Sequence, residues 1–298
     1  MNFNKQKFFR LNKLNLAFLV LAPITSFAQF GPGVDPAALE AVLEEHRSMT
    51  TPRNSEGHPD LSGHWAAPSV GGGGGFFGSG VLSENENGEI NIFPEFINNT
   101  FVNAQDVANV DRRRENKSLR PVYKPEHQVQ ADVYFENSDL NDPGYGCGLP
   151  GVPRIGMPTE IVQTDDTVYL LYENLVNRFR VIPLDGREHN LASEPVPNGD
   201  AIAYWEGDTL IIDVINISDD TWVDRDGSIH SEEMHVIERL TREGDVLTYA
   251  LIVEDPYFSE PFMPQPMSRI LSEKGTHVGV EWPCFEISLD NMVNGTKH

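Results

Sequence analysis

The sequence predicts a mainly β protein, an antiparallel meander that closes on itself, preceded by a short helix and interrupted by a long irregular insertion. Three observations carry this. The 298 residues include 25 Gly and 21 Pro, which break a chain into turns rather than long helices. Hydrophobic residues make up 39%, enough to bury a full core. From residue 158 onward, apolar alternating runs flank short acidic turns again and again, as β-hairpins do.

The elements follow in chain order. Lys5, Lys7, Arg10 and Lys13 precede an apolar stretch over residues 14–24, and Ser26-Phe27-Ala28 has the small-x-small form of a signal-peptidase site. This predicts a signal peptide over residues 1–28, a mature chain from Gln29, and a periplasmic or secreted location. Pro23 interrupts the apolar stretch, which falls short of the roughly 20 residues a spanning helix needs, so a retained anchor is the lesser reading. Residues 29–59 read as a helix and linker: Asp35-Pro36 opens a helix over 35–47, with Ala38, Val42 and Leu43 on one face. Residues 60–298 then form a single barrel domain with an irregular insertion at about 66–157.

Inside that insertion, five glycines at 71–75 lead into Phe76-Phe77-Gly78, a loop that reads as a lid or, more simply, as low-complexity chain. Residues 83–141 are polar and Asn-rich, irregular with short helices. Hairpins are predicted over 160–172, 203–213 and 236–253, with further strands at 179–183 and 276–282. A meander of about eight strands either closes as a barrel or stacks as a sandwich.

Charge and cysteine content narrow the partners. With 45 Asp+Glu against 22 Lys+Arg, the formal net charge is -23. The dense basic run Arg112-Arg113-Arg114 is followed at once by Glu115, so nucleic acid is excluded as a partner. Two cysteines in an exported chain predict a Cys147–Cys284 disulfide. Closing a loop of more than roughly 100 residues would stabilise the fold by about 4–5 kcal/mol in the chain-entropy account. Two buried thiols are the alternative. A nucleophilic role is disfavoured, because neither cysteine has an adjacent His to lower its pKa.

The chain has no Gly-x-Ser-x-Gly, no His-Glu-x-x-His, no Gly-rich phosphate loop and no Cys-x-x-Cys. Serine hydrolases, zincins and nucleotide enzymes are therefore disfavoured, and neither a cofactor nor a metal is expected. A calcium loop fits Asp224, Asp226, Gly227 and Glu233 but puts Trp222 at its first position, so an ordinary acidic turn is the better reading. Carboxylates, histidines and arginines on strands remain, the equipment of acid–base chemistry or polar recognition. Alternation puts His230 and Glu232 on one face of a strand, and they lead as an acid/base pair. Asp213 ends the run Leu210-Ile211-Ile212. If it faces inward it needs a partner, for which Arg180, Arg187 and His230 are candidates. Glu160, facing Arg154 as an internal pair, and Glu286 complete the candidate acids. Arg154, Tyr172, Arg180, Arg187, Trp205 and Trp222 are the candidate substrate-binding residues.

Gly63-His64-Trp65 at the entry to the first strand resembles the opening of lipocalins and other calycin barrels, although their second motif, Thr-Asp-Tyr, is absent. Residues 60–290 also resemble a group of exported, mostly uncharacterised bacterial proteins. The resemblance rests on Gly151-Val-Pro-Arg154, Pro183-Leu-Asp-Gly-Arg187, Trp205-Glu-Gly-Asp-Thr209, His230-Ser-Glu232, Glu238-Arg239, Asp255-Pro256 and Cys284-Phe-Glu286. Phe285 stands where relatives carry a polar residue. The resemblance implies a calycin-like barrel.

The expected function is a cavity for a small, partly apolar organic molecule, with a His–carboxylate pair catalysing proton transfer as in an isomerase, dehydratase or lyase. The alternatives are a non-catalytic periplasmic binding protein and a glycan-active sandwich in which Trp205 and Trp222 stack on sugars.

Overall fold

Alternating apolar residues give most of the strands one face to bury, and nine strands join in a single sheet. The computed structural model describes residues 36–68, 83–84, 90–91, 120–146, 148–172, 179–224 and 226–272. Helix α1 (Pro36–Arg47) precedes β1 (Gly63–Ala66), and a two-strand ladder joins β2 (Ser83–Glu84) to β3 (Ile90–Asn91). Helices α2 (Pro125–Glu136) and α3 (Ser138–Asn141) follow. Then come β4 (Glu160–Gln163), β5 (Thr167–Leu171), β6 (Phe179–Pro183), β7 (Asp200–Glu206), β8 (Thr209–Ile215), β9 (His235–Glu243), β10 (Val246–Glu254) and β11 (Met267–Leu271).

The sheet runs β6-β5-β4-β1-β11-β10-β9-β8-β7, every neighbour antiparallel. Two meanders, β4 to β6 and β7 to β11, are thus joined by β1, which pairs Gly63 with Ile161 on one side and Trp65 with Leu271 on the other. The end strands β6 and β7 lie against each other without sharing a ladder. The barrel is nearly closed, with one seam. Its single continuous sheet decides for barrel over sandwich and is compatible with a calycin-like fold.

Trp65, Leu170, Leu210, Ile212, Val214, Val236, Leu240, Leu247 and Tyr249 point inward and pack as one cluster, as a barrel of about eight or nine strands requires of its side chains. From outside, Leu39 and Leu43 of α1 cover Val246 and Ile270. The β9–β10 turn fits beneath α1 because residue 244 is Gly. Its φ is 59°, and a Cβ there would strike the His46 carbonyl.

One strand adds to the expected set, and one expected kind of element takes definite bounds. The strand that pairs with β1 and β10 is β11, whose Met-Ser-Arg-Ile-Leu run is half-buried throughout and shows no alternation. The short helices expected within residues 83–141 include α2, which buries Ala131 and Phe135. No described helix is long and apolar enough to cross a membrane. The expected leader, the glycine run, the strand at 276–282, Cys147, Cys284 and Glu286 lie outside the described residues.

Candidate functional site

Two polar networks flank the seam, one on each side of the barrel wall. The inner one starts from Arg180 on β6 and Glu238 on β9, both directed inward by alternation among apolar neighbours. The Arg180 guanidinium donates to both Glu238 oxygens, Nη1 to Oε1 at 3.0 Å and Nη2 to Oε2 at 2.6 Å. Tyr249 donates to Oε1 at 2.6 Å, and Arg180 Nη1 donates to the Tyr172 hydroxyl at 3.3 Å. The Glu238 side chain is 0% exposed and that of Arg180 2%. Burial pushes the Tyr172 hydroxyl up to about 12 and the Tyr249 hydroxyl well above its ordinary value. The Arg180 pKa is also raised: burial alone would lower it, but the Glu238 charge outweighs that. The pair reaches from β6 to β9, under the seam where the ladder is missing, and so ties the barrel shut from within.

The outer network lies on the opposite face of β7 to β10. Asp213 on β8 points outward, since Ile212 and Val214 take the inward positions. Its Oδ1 meets His235 Nε2 at 2.7 Å and His189 Nε2 at 3.2 Å. His189 Nδ1 lies 3.1 Å from Asp200 Oδ2, and His235 Nδ1 lies 3.6 Å from Glu254 Oε2. The result is a chain, Asp200–His189–Asp213–His235–Glu254, in which carboxylates and imidazoles alternate. Each imidazole sits between two carboxylates, and a neutral ring can donate to only one of them. The protonated form satisfies both, so both histidines titrate above their ordinary value, first through the hydrogen bond to Asp213. Partial burial would raise the Asp213 pKa, but the hydrogen bonds from both histidines hold it well below the carboxylate range.

Local structure places His189. It sits in the β6–β7 connection, residues 184–199, which is pinned by the Asn190 amide on Asp200 Oδ2 (2.7 Å), Asn216 Nδ2 on Ser193 Oγ (2.9 Å) and a bridge between Val196 and Ile217. Beside it, the seam opens as a cleft of about 290 Å³ walled by residues 179–183 of β6 and by Asn198, Gly199, Asp200 and Ala201. Asp200 therefore belongs both to the cleft wall and to the histidine chain. Among the described residues, no three His, Cys, Asp or Glu side chains are arranged to hold a metal ion.

The other sequence candidates fall elsewhere. His230 and Glu232 do not share a strand face, because β9 begins only at His235. His230 is buried, with Nε2 3.0 Å from Thr221 Oγ1 and Nδ1 2.9 Å from the Ser231 carbonyl, and burial lowers its pKa. Glu232 is exposed. Arg154 forks onto Asp142 at 2.7 and 2.6 Å rather than pairing with Glu160, which lies opposite His64 on β4. Arg187 is exposed and held by Asp185. Trp222 is buried, and Trp205 stacks on His58 with centroids 4.6 Å apart, so the exposed Trp pair of a glycan groove does not form. Asp224 accepts from the Asp226 and Ser228 amides and from Ser228 Oγ, as an acidic turn does. Asp213 faces outward, not inward, and its partners are His189 and His235.

His189, Asp200 and Glu254 escaped the sequence reading. His189 and Asp200 carry no periodic signal, since one lies in a connection and the other at a strand start. His235 carried a signal: Asp213 and His235 each alternate with core-facing residues, and the β8–β9 register that pairs Asp213 with Ile237 sets His235 diagonally beside it on the outer face. No protein-family model, curated protein or solved structure matches the chain.

Proposed function

We propose that the protein binds a small, partly apolar organic molecule in the β6–β7 cleft and moves a proton to or from it through Asp200 and His189. Asp200 carries this reading, as the residue shared by the cleft and the histidine chain. The cleft mixes apolar side chains of β6 with polar groups around Asn198 and Asp200, so it can take a molecule with both kinds of surface. Asp200 would touch the ligand, while His189, Asp213 and His235 hold the relayed proton and set its affinity. Two histidines whose pKa values are raised by the shared Asp213 hold their protons more firmly than a free imidazole and keep an exchangeable proton within reach. The reaction class is that of an isomerase, dehydratase or lyase. The leader-like amino terminus supports assigning this activity to an exported protein.

Proton transfer can be read without knowing the natural substrate. In D2O, a panel of small ketones and aminoketones, phenylacetone among them, would be followed by proton NMR for loss of the C–H signals next to the carbonyl. The wild-type protein is expected to accelerate exchange, and Asp200→Asn and His189→Gln to lose at least about 100-fold of that acceleration. If panel members shift the cleft resonances yet none exchanges faster than in buffer, the catalytic part fails and the protein is a binding protein. If the two variants exchange as fast as wild type, Asp200 and His189 are not the relay.

A further inference from the structure

The cleft has an asymmetric lining. Phe179 and Val181 project from the outer face of β6 and remain 64% and 50% exposed, far more than apolar side chains in a finished wall. Pro183 continues this apolar side. Across the seam stands Asp200, its side chain 27% exposed. Arg180, the cationic residue of the same wall, turns its guanidinium inward and spends it on Glu238. The charge that faces the cleft is therefore negative.

The surroundings reinforce that sign. Around His189 stand Asp200 on β7, Asp213 on β8 and, beyond Asp213, His235 on β9 with Glu254 on β10. On its own connection lie Asp185, Arg187 and Glu188, and Arg187 donates Nε and Nη2 to Asp185 at 2.9 and 2.6 Å, so its charge is already matched. Arg187 also feels Asp200 and, more weakly, Asp166 in the β4–β5 turn, so three carboxylates share its one charge and the balance stays negative. A net charge of -23 gives the whole surface the same bias.

From this geometry we infer that the ligand is an organic cation, an amine with an aromatic or aliphatic arm, whose ammonium lies on Asp200 and whose arm lies on Phe179 and Val181. This rests on the cleft being the binding site and adds the ligand's chemical class. It has a consequence for the histidine chain. His189 and the ammonium share Asp200, and two cations on one carboxylate repel each other. Binding the amine therefore weakens the hold on the His189 proton and releases it to solvent. The ligand and a proton exchange at one carboxylate, so affinity rises with pH until His189 is neutral.

The test uses three probes of one shape, 2-phenylethylammonium, 2-phenylethanol and phenylacetate, titrated calorimetrically into the full chain. At pH 8 the ammonium is expected to bind at least about 10-fold more tightly than the alcohol, and phenylacetate more weakly than either. At pH 5.5 the advantage over the alcohol should shrink several-fold. At pH 5.5, where His189 starts protonated, titrations in two buffers of different ionisation enthalpy should report protons released, up to one per ammonium bound, and none for the alcohol. Asp200→Asn should abolish the advantage of the ammonium, and Phe179→Ala should weaken ammonium and alcohol by the same factor. The wild-type comparison of probes needs no variant to fold. If the alcohol binds as well as the ammonium, or no proton is released, the cation inference is wrong while the cleft stands. If no probe binds and no cleft resonance moves, the cleft reading falls with it.

Discussion

The inner and outer networks stand back to back on β8 and β9, and both are built from carboxylates held by cations. Glu238 faces inward opposite Ile212, whereas Asp213 faces outward opposite Ile237. What separates them is water. Inside, Arg180 and Glu238 are dry, bidentate and capped by two tyrosines, and the permanently charged Arg cannot give up its proton. Outside, Asp213 is shared by two histidines that are part-exposed, can lose their protons, and have pKa values raised by that carboxylate. Similar ion-pair chemistry thus yields a fixed tie on one face of the wall and an exchangeable proton store on the other.

Removing one partner should hurt most on the dry side. Arg180→Met leaves Glu238 buried without its cation and is expected to cost about 3–5 kcal/mol in chemical denaturation, whereas Arg180→Met with Glu238→Leu should recover most of that loss. A double variant as unstable as the single one would mean that the network does more than close the seam. Tyr249→Phe deletes one hydrogen bond to the same carboxylate and should cost about 1.5–3 kcal/mol.

On the wet side the effect should be smaller and depend on pH. Asp213→Asn is expected to cost about 1–2 kcal/mol at its greatest. The histidines have raised folded pKa values, so their part of the stability is complete below the unfolded value of about 6.5 and fades as pH rises through the folded values. The Asp213 pKa is lowered, so its part is complete above about 3.9 and fades as pH falls toward the folded value. Urea denaturation across pH should therefore show the largest gap between wild type and Asp213→Asn at about pH 4–6.5. A gap that kept growing above pH 8 would contradict the protonated chain. Least of all should come from Arg187→Gln, since the Arg187–Asp185 pair is fully in solvent and its loss should leave the melting temperature within error.

The sequence disclosed one half of this arrangement better than the other. Hairpins β4–β5, β7–β8 and β9–β10 were legible because alternation agrees with acidic turns, two of them with Gly, and Tyr172 and Asp213 at the ends of the expected runs and Arg180 on the neighbouring β6 stood out. The facing of Asp213 was not legible, because Leu210-Ile211-Ile212 is apolar on both faces and Ile211 is buried on the outer one. His230 attracted notice through a carboxylate two residues away, a spacing that matters only on a strand, and the strand starts five residues later. The tie between Arg180 and Glu238 depends on which strands meet at the seam, and no local pattern encodes that.

The central claim is that His189 and His235 hold protons through one shared carboxylate. Side-chain NMR of the imidazoles across pH tests it directly. Both should titrate above about 6.5 with mutually dependent curves, and both should fall toward that value in Asp213→Asn, while buried His230 titrates below it in either protein. If His189 and His235 titrate at or below the ordinary value and do not respond to Asp213→Asn, the outer network is a surface ion-pair cluster and not a proton store.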